Sequence, residues 1–227
     1  MDKLTNLQLK QEFDSMTLNQ LSDYKFLSNF IYNKVGLSLN KKTLKINNHK
    51  DMGCWGGLQC KQYPEELAKL LVFIFKNRSK IHSYCEIGVE RGGTFFVIDS
   101  LLRSINPNMG KSLAIDKNDK IIRHGLQDYK NKYKNIEFIQ IDSVNFKPCE
   151  RYNLCLIDGN HSYDGSKHDF NLMKSYSNYI AIHDIKLERG SNVKQLWEEI
   201  EGNKIEFLND NDFFPVSIGI GVWTNIY

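Results

Sequence analysis

From Pro64 onward the chain alternates short apolar runs with longer amphipathic ones, joined by a few residues each. This alternation constrains the fold more than any other feature. Strand-like runs fall at 83–87, 112–115, 136–141, 152–157, 179–183, 204–208 and 218–225, and helical spacing fills 64–76, 92–103, 120–133, 165–174 and 191–201. Strands separated by helices pair in parallel, with the helices covering both faces of the sheet. The last two runs have no helix between them, which predicts an antiparallel hairpin at the end of the sheet. The expectation is a doubly wound α/β sheet of seven strands, mostly parallel.

The first 60 residues read differently. Apolar residues at 4–35 have helical spacing, and 36–57 is rich in Asn, Gly and Lys. At 227 residues the chain suits one domain, so residues 1–60 are expected to form a helical cap or oligomer contact on a main domain at 61–227. No apolar run approaches the roughly 20 residues that span a bilayer. The N-terminus lacks a basic region followed by an apolar one, so a cytoplasmic protein without membrane contact is expected. Thirty basic and 27 acidic residues are interspersed, leaving +3, a weak case for a nucleic-acid partner. The five cysteines (Cys54, Cys60, Cys85, Cys149, Cys155) include no CxxC pair, and Cys85 and Cys155 sit inside strand-like runs. Buried free thiols are the expected reading for the cysteines, over a disulfide or a zinc site.

The stretch YCEIGVERGGT, residues 84–94, runs from the first strand through three glycines into a helix. Ligands of open α/β sheets lie beyond the carboxyl ends of the strands, beside the first one. A dinucleotide site reads GxGxxG, its second glycine admitting a pyrophosphate; here that position is Glu90, which would crowd and repel one. No GK[ST] follows, so a P-loop is also disfavoured. A ligand that is adenosine-like, without phosphates and cationic suits the acids, and S-adenosylmethionine (SAM) has those properties. Asp116 ends the second strand where an acid accepts from ribose hydroxyls. Asp142, with Ser143, stands where it would reach the adenine edge. One acid after a strand is ordinarily a turn residue or helix cap. Four in succession, Glu86, Asp116, Asp142 and Asp158, are harder to explain that way.

The motifs ExGxxxGGT, AID, LIDGNHSYDGSKHDF and IAIHDI resemble class I SAM-dependent methyltransferases. More narrowly, they are similar to the branch of macrocin-type sugar O-methyltransferases and cephalosporin-hydroxylase-like proteins. Gln62 to Leu67 is similar to that branch's QxPxEL segment, and Val193 to Trp197 to its VKxLW helix. The match covers about Gln59 to the C-terminus. It implies a Rossmann-like fold, with SAM held around Gln62, Glu86, Gly88, Gly92, Gly93, Thr94, Asp116, Asp142, Ser143 and Asp158. It also implies magnesium at Asp158, His183 and Asp184, and a catalytic histidine at His161, three residues after Asp158.

Strands four and five should be neighbours about 5 Å apart, so Asp158, His161, His183 and Asp184 converge beside the methyl donor. Two carboxylates and an imidazole suit a divalent ion that acidifies a bound hydroxyl. The relatives carry an acid where this chain has His183, and imidazole is a poorer ligand for hard Mg²⁺. Mg²⁺ on fewer protein ligands, Mn²⁺ and no metal all remain open. His161 is the expected base, with Asp158 beside it, against the alternative that it caps the next helix or bonds Asp184. Tyr163 either contacts ligand or packs. His168 and Asp169 are expected on a solvated face. The leading expectation is O-methylation of a sugar or other polyhydroxylated small molecule, probed against catechol-type or amine methylation and against a non-catalytic regulatory or oligomeric role.

Overall fold

The computed structural model describes residues 3–38, 56–187, 192–210 and 217–225. Seven strands form one sheet: β1 (Tyr84–Ile87), β2 (Ser112–Asp116), β3 (Ile136–Gln140), β4 (Tyr152–Ile157), β5 (Ser177–His183), β6 (Asn203–Phe207) and β7 (Ile220–Thr224). Their order is β3-β2-β1-β4-β5-β7-β6. β1 to β5 are parallel, and β7 pairs antiparallel with both β5 and β6. The sheet is therefore Rossmann-like and mostly parallel, closed by an antiparallel hairpin. β1, β4 and β5 are buried on nearly every residue, as strands covered on both faces must be. β3 and β6 alternate or face solvent, which suits the two edges. Cys85 and Cys155 are register neighbours on β1 and β4, both buried and free. Cys60 is also buried and free; Cys149 is free but, contrary to the expectation of buried thiols, exposed, because it lies in the loop before β4 and not within a strand.

The first three helices are α1 (Asn6–Ser15), α2 (Leu18–Ser22) and α3 (Tyr24–Phe30), followed by a π-helical turn at Ile31–Val35. The apolar spacing through this segment runs on, but caps interrupt the backbone. Thr17 and Gln20 form a capping box, and Asp23 accepts from Lys25 and Phe26 N–H to start α3. α1 lies against α5 (Gly93–Ile105) and α3 against α4 (Pro64–Lys76). Leu9, Phe13, Leu27 and Ile31 join Leu67, Leu71, Phe95 and Ile98 in one core, each such side chain worth roughly 1.5–3 kcal/mol when fully buried. The N-terminal segment thus thickens one face of the sheet.

The opposite face holds α7 (Tyr163–Lys174) and α8 (Val193–Glu199), packed over Ile157, Ile180 and Ile182. The helix expected at 120–133 is broken. Gly125, at φ +90° beside Asn6, and His124 kink the turn at Ile122–Leu126 that leads into α6 (Gln127–Lys132). Most of the Asn- and Lys-rich loop read at 36–57, with Cys54, and the expected first residue of the last helix, Ser191, lie outside the described residues. Among the described residues no helix is long and apolar enough to cross a membrane.

Candidate active site

The strand order reverses between β2-β1 and β1-β4, and a cavity of about 830 Å³ opens at the carboxyl ends of these strands. That is the switch point at which this architecture receives ligands, and the volume is ample for a nucleoside-sized molecule with a second one beside it. Every residue assigned above to cofactor, metal or catalysis lines the cavity except Gly92.

The glycine turn builds the floor. Gly88 has φ +92°, and a Cβ there would stand 2.3 Å from the Asp158 carbonyl oxygen. Only glycine lets the exits of β1 and β4 approach this closely. A Cβ on Gly93 would lie 2.5 Å from the Leu58 carbonyl oxygen. Gly92 instead turns toward Ile121 and Phe96 and starts α5 in a left-handed conformation, so its role is conformational. Among the described residues four non-glycine residues have positive φ, and three of them, Gln59, Glu90 and Asp184, line the cavity. Such conformations cost about 1 kcal/mol or more each and concentrate at functional sites.

The acids differ in state. Glu86 is buried within β1, and burial pushes its carboxyl well above the usual range; the Tyr84 hydroxyl donates to it and draws it partly back. Asp116, at the tip of β2, accepts from the N–H groups of Glu90 at 2.8 Å and Asn118 at 2.7 Å. These bonds fix its carboxylate at the cavity wall. Asp142 caps the short turn Ser143–Asn145 through Val144 N–H, so it serves as a cap while also lining the cavity. Glu90 pairs with Lys61 at 2.7 Å and Lys120 at 3.3 Å. Burial would raise its pKa, but these two ammonium groups hold it below its usual value.

At the exits of β4 and β5 two carboxylates and two imidazoles interlock. Gln62 Nε2 donates to Asp158 Oδ2 at 2.7 Å, and the Thr94 hydroxyl donates to Gln62 Oε1. His183 Nδ1 lies 2.8 Å from Asp158 Oδ1 and 3.3 Å from Asp184 Oδ1. His161 Nδ1 lies 2.7 Å from Asp184 Oδ2, leaving its Nε2 on the Asp158 side, 3.8 Å from Oδ1. Burial alone would lower the His183 pKa, but the carboxylates of Asp158 and Asp184 outweigh it and hold it at about 10. The Asp184 bond, opposed by burial, raises that of His161. Asp184 is pushed up by burial yet held below its usual value by His183 and His161.

This donor set does not fit the divalent ion expected at Asp158, His183 and Asp184. All four carboxylate oxygens face nitrogen donors, and His183 Nδ1 is itself turned to the carboxylates of Asp158 and Asp184. Among the described residues no group of three or more His, Cys, Asp or Glu side chains is arranged to hold a metal ion. A second expectation changes as well. Asp169 is fully buried, whereas His168 is only partly so and reaches toward the Ser143 carbonyl at 3.4 Å. Tyr163 turns to Glu199 and Lys167, away from the cavity. The sequence reading missed Glu66, buried beneath the cluster. Its Oε1 accepts from the Ser217 hydroxyl and Ile218 N–H. Only the fold brings these residues together, across more than 150 positions.

No family model matches the chain. A Thermoplasma volcanium protein named as a cobalt-precorrin-6B C(15)-methyltransferase (decarboxylating) is 24% identical over 159 residues, 66% of this chain and 76% of that one. Among solved structures, one from Staphylococcus aureus named as a caffeoyl-CoA O-methyltransferase superposes with a TM-score of 0.51 at 15% identity, covering 69% of this chain and 80% of that one. The N-methyltransferase NodS of Bradyrhizobium japonicum WM9 gives 0.50 at 14% identity, covering 72% and 96%. This chain has the class I methyltransferase fold. The narrower likeness to sugar O-methyltransferases finds no counterpart among these relatives, which are named for different acceptors.

Proposed function

We propose that the chain is a SAM-dependent methyltransferase acting on a hydroxyl of a sugar or other polyhydroxylated small molecule. The observation that carries this reading is the His161–Asp184 pair at the cavity wall, beside a glycine floor and a carboxylate at the tip of β2. The acids suit SAM: Asp116 accepts from ribose hydroxyls, and Glu86 faces the cationic methionine end. Bound SAM supplies an electrophilic methyl group on a sulfonium, transferred in line to the acceptor oxygen with release of S-adenosylhomocysteine (SAH).

The chain's own residues then have two tasks. Asp184 accepts from His161 Nδ1–H, which fixes the tautomer and leaves Nε2 as the base that takes the acceptor's proton. The raised pKa makes that nitrogen a stronger base than free imidazole, in the direction an alcohol requires. Gln62 and the charged His183 hold Asp158 in place, so the acid beside the base stays fixed. The reading contains no metal-assisted step, because the carboxylates that would bind an ion are held by these donors. Gln59, Lys61, Asn160 and His161 line the cavity with hydrogen-bonding groups, which favours a hydroxyl-rich acceptor. Release of SAH from SAM in the presence of nucleotide-sugars, free glycosides and catechols tests the reading. Turnover on a glycoside or nucleotide-sugar supports it, and turnover on catechols alone overturns the acceptor class.

A further inference from the structure

Glu66 is fully buried in the first turn of α4, and its carboxyl turns to another segment rather than capping the helix. Oε1 accepts from the Ser217 hydroxyl at 2.6 Å and from Ile218 N–H at 3.1 Å, whereas Oε2 has no hydrogen-bond partner. Burial raises its pKa, and the Ser217 bond is the largest influence drawing it back. A leucine would fill this place without the cost of a half-satisfied buried carboxyl. The acid is explained by what Oε1 holds.

What it holds is the far side of a β-bulge. β5 and β7 are in register at His183↔Ile220, and beyond that pair Lys186 N–H donates to the Ile218 carbonyl at 2.9 Å. Asp184 and Ile185 thus face the single residue Gly219, the two-against-one count that defines a bulge. Asp184 takes φ +66° and Gly219 φ +76°, and a Cβ on Gly219 would stand 2.8 Å from Ile185 Cγ1. Bulges beside active sites re-aim side chains. Here the Asp184 carboxylate is turned to His161 Nδ1, 2.7 Å away. Left-handed backbone is unfavourable for a residue other than glycine and persists only where its surroundings hold it. Ile218 does so: its carbonyl holds Lys186, and its own N–H is held by Glu66.

We propose that Glu66 is a positioning residue for the base: by pinning Ile218 it fixes the bulge at Asp184, and with it the aim of the Asp184 carboxylate at His161. The proposal rests on the reading of His161 as the base given above. Glu66 does not itself line the cavity. The path from it to His161 consists of the bonds to Ile218, Lys186 and Asp184 and the two peptide links between residues 184 and 186. Replacing the acceptor at Oε1 frees Ile218, and the strained turn can then relax away from the imidazole.

The test is low-temperature proton NMR of protein labelled with ¹⁵N-histidine, which needs neither SAM nor an acceptor. The Nδ1–H that His161 donates to Asp184 should give a downfield resonance in the wild type that is absent from His161→Ala. Glu66→Leu should lose it, whereas Glu66→Gln, whose amide oxygen still accepts from Ser217 and Ile218, should keep it. Ser217→Ala strips one of the two donors at a half-buried position and should speed the exchange of that proton, a readout that holds even where Glu66→Leu does not fold. On the glycoside or nucleotide-sugar that releases SAH, Glu66→Leu should lower kcat on the order of tenfold or more with KM for SAM unchanged, and Glu66→Gln should retain most of the activity. A resonance that persists in folded Glu66→Leu, is lost equally in Glu66→Gln, or exchanges no faster in Ser217→Ala overturns the positioning role. A lost resonance with unchanged kcat overturns instead the reading of His161 as the base, and with it the part of Glu66 in the reaction.

Discussion

Glu86→Gln removes an ionisable carboxyl from the wall of the cavity without changing the shape of the side chain. Glu86 is fully buried beside Tyr84, and burial raises its carboxyl well above its ordinary value of 4.5, with Asp158 and Asp116 adding to the rise. The α-amino cation of SAM or SAH, placed against this acid, favours the carboxylate and lowers its pKa. Binding therefore releases a proton, between none and one per site, in the window between the pKa of the complex and that of the free protein. Affinity should rise with pH through that window and level off above it. Removing the carboxylate loses a hydrogen bond to a charged group, worth about 1.5–3 kcal/mol, or roughly 10- to 150-fold in affinity. Folding moves the other way. A carboxyl whose folded pKa is raised costs stability as pH climbs past its unfolded value, so the glutamine variant should melt no lower than the wild type at neutral pH. Titrating SAH in two buffers of different ionisation enthalpy reads the proton release directly. Identical apparent enthalpies for the wild type in both buffers, together with unchanged affinity in Glu86→Gln, would refute the reasoning.

Three further outcomes are expected. His161→Ala should lower kcat by about 10²-fold or more with SAM affinity unchanged, and the wild-type ascending limb should lie above the ordinary histidine value of 6.5 because the Asp184 bond raises this imidazole; a retained limb in the variant would assign the base elsewhere. His183 stabilises the fold fully below 6.5 and loses that contribution as pH rises through about 10, so the difference in melting temperature between wild type and His183→Gln should shrink over that interval, and a constant difference would show that its charge is not what it contributes. Prolonged chelation followed by dialysis should leave turnover intact, whereas loss of activity restored by Mg²⁺ or Mn²⁺ would mean that the His–Asp cluster rearranges around an ion.

The sheet was legible because its signals are local. α4 carries proline at its first position and lysine in its last turn, and its bounds fall where the pattern placed them. β4 is an apolar run ending at an acid, and its bounds also agree. Less legible were the breaks. Gly125 splits one amphipathic stretch by its backbone alone, and Thr17 and Asp23 divide another by capping although the apolar spacing continues. Asp169 was misread for its charge, even though its spacing from Ser166, Phe170 and Met173 belongs to a buried stripe. The four groups at the exits of β4 and β5 could be named from adjacent strands, but not who holds whom. That depends on Gln62, which reaches Asp158 from just before α4, far away in sequence, and on the left-handed backbone of Asp184 at φ +66°. Gln62 and the two imidazoles fill the carboxylate positions that a metal would need.

The most direct measurement of the central claim is a calorimetric titration of SAH into the wild type and into Asp116→Ala, with NAD as the comparison ligand. The account predicts a micromolar Kd for the wild type, about −8 kcal/mol, weakened at least tenfold when the carboxylate that accepts from the ribose hydroxyls is removed. It also predicts no measurable NAD binding, since Glu90 stands where a pyrophosphate would pass. Tight binding of NAD with none of SAH, or SAH binding that ignores Asp116→Ala, would contradict it.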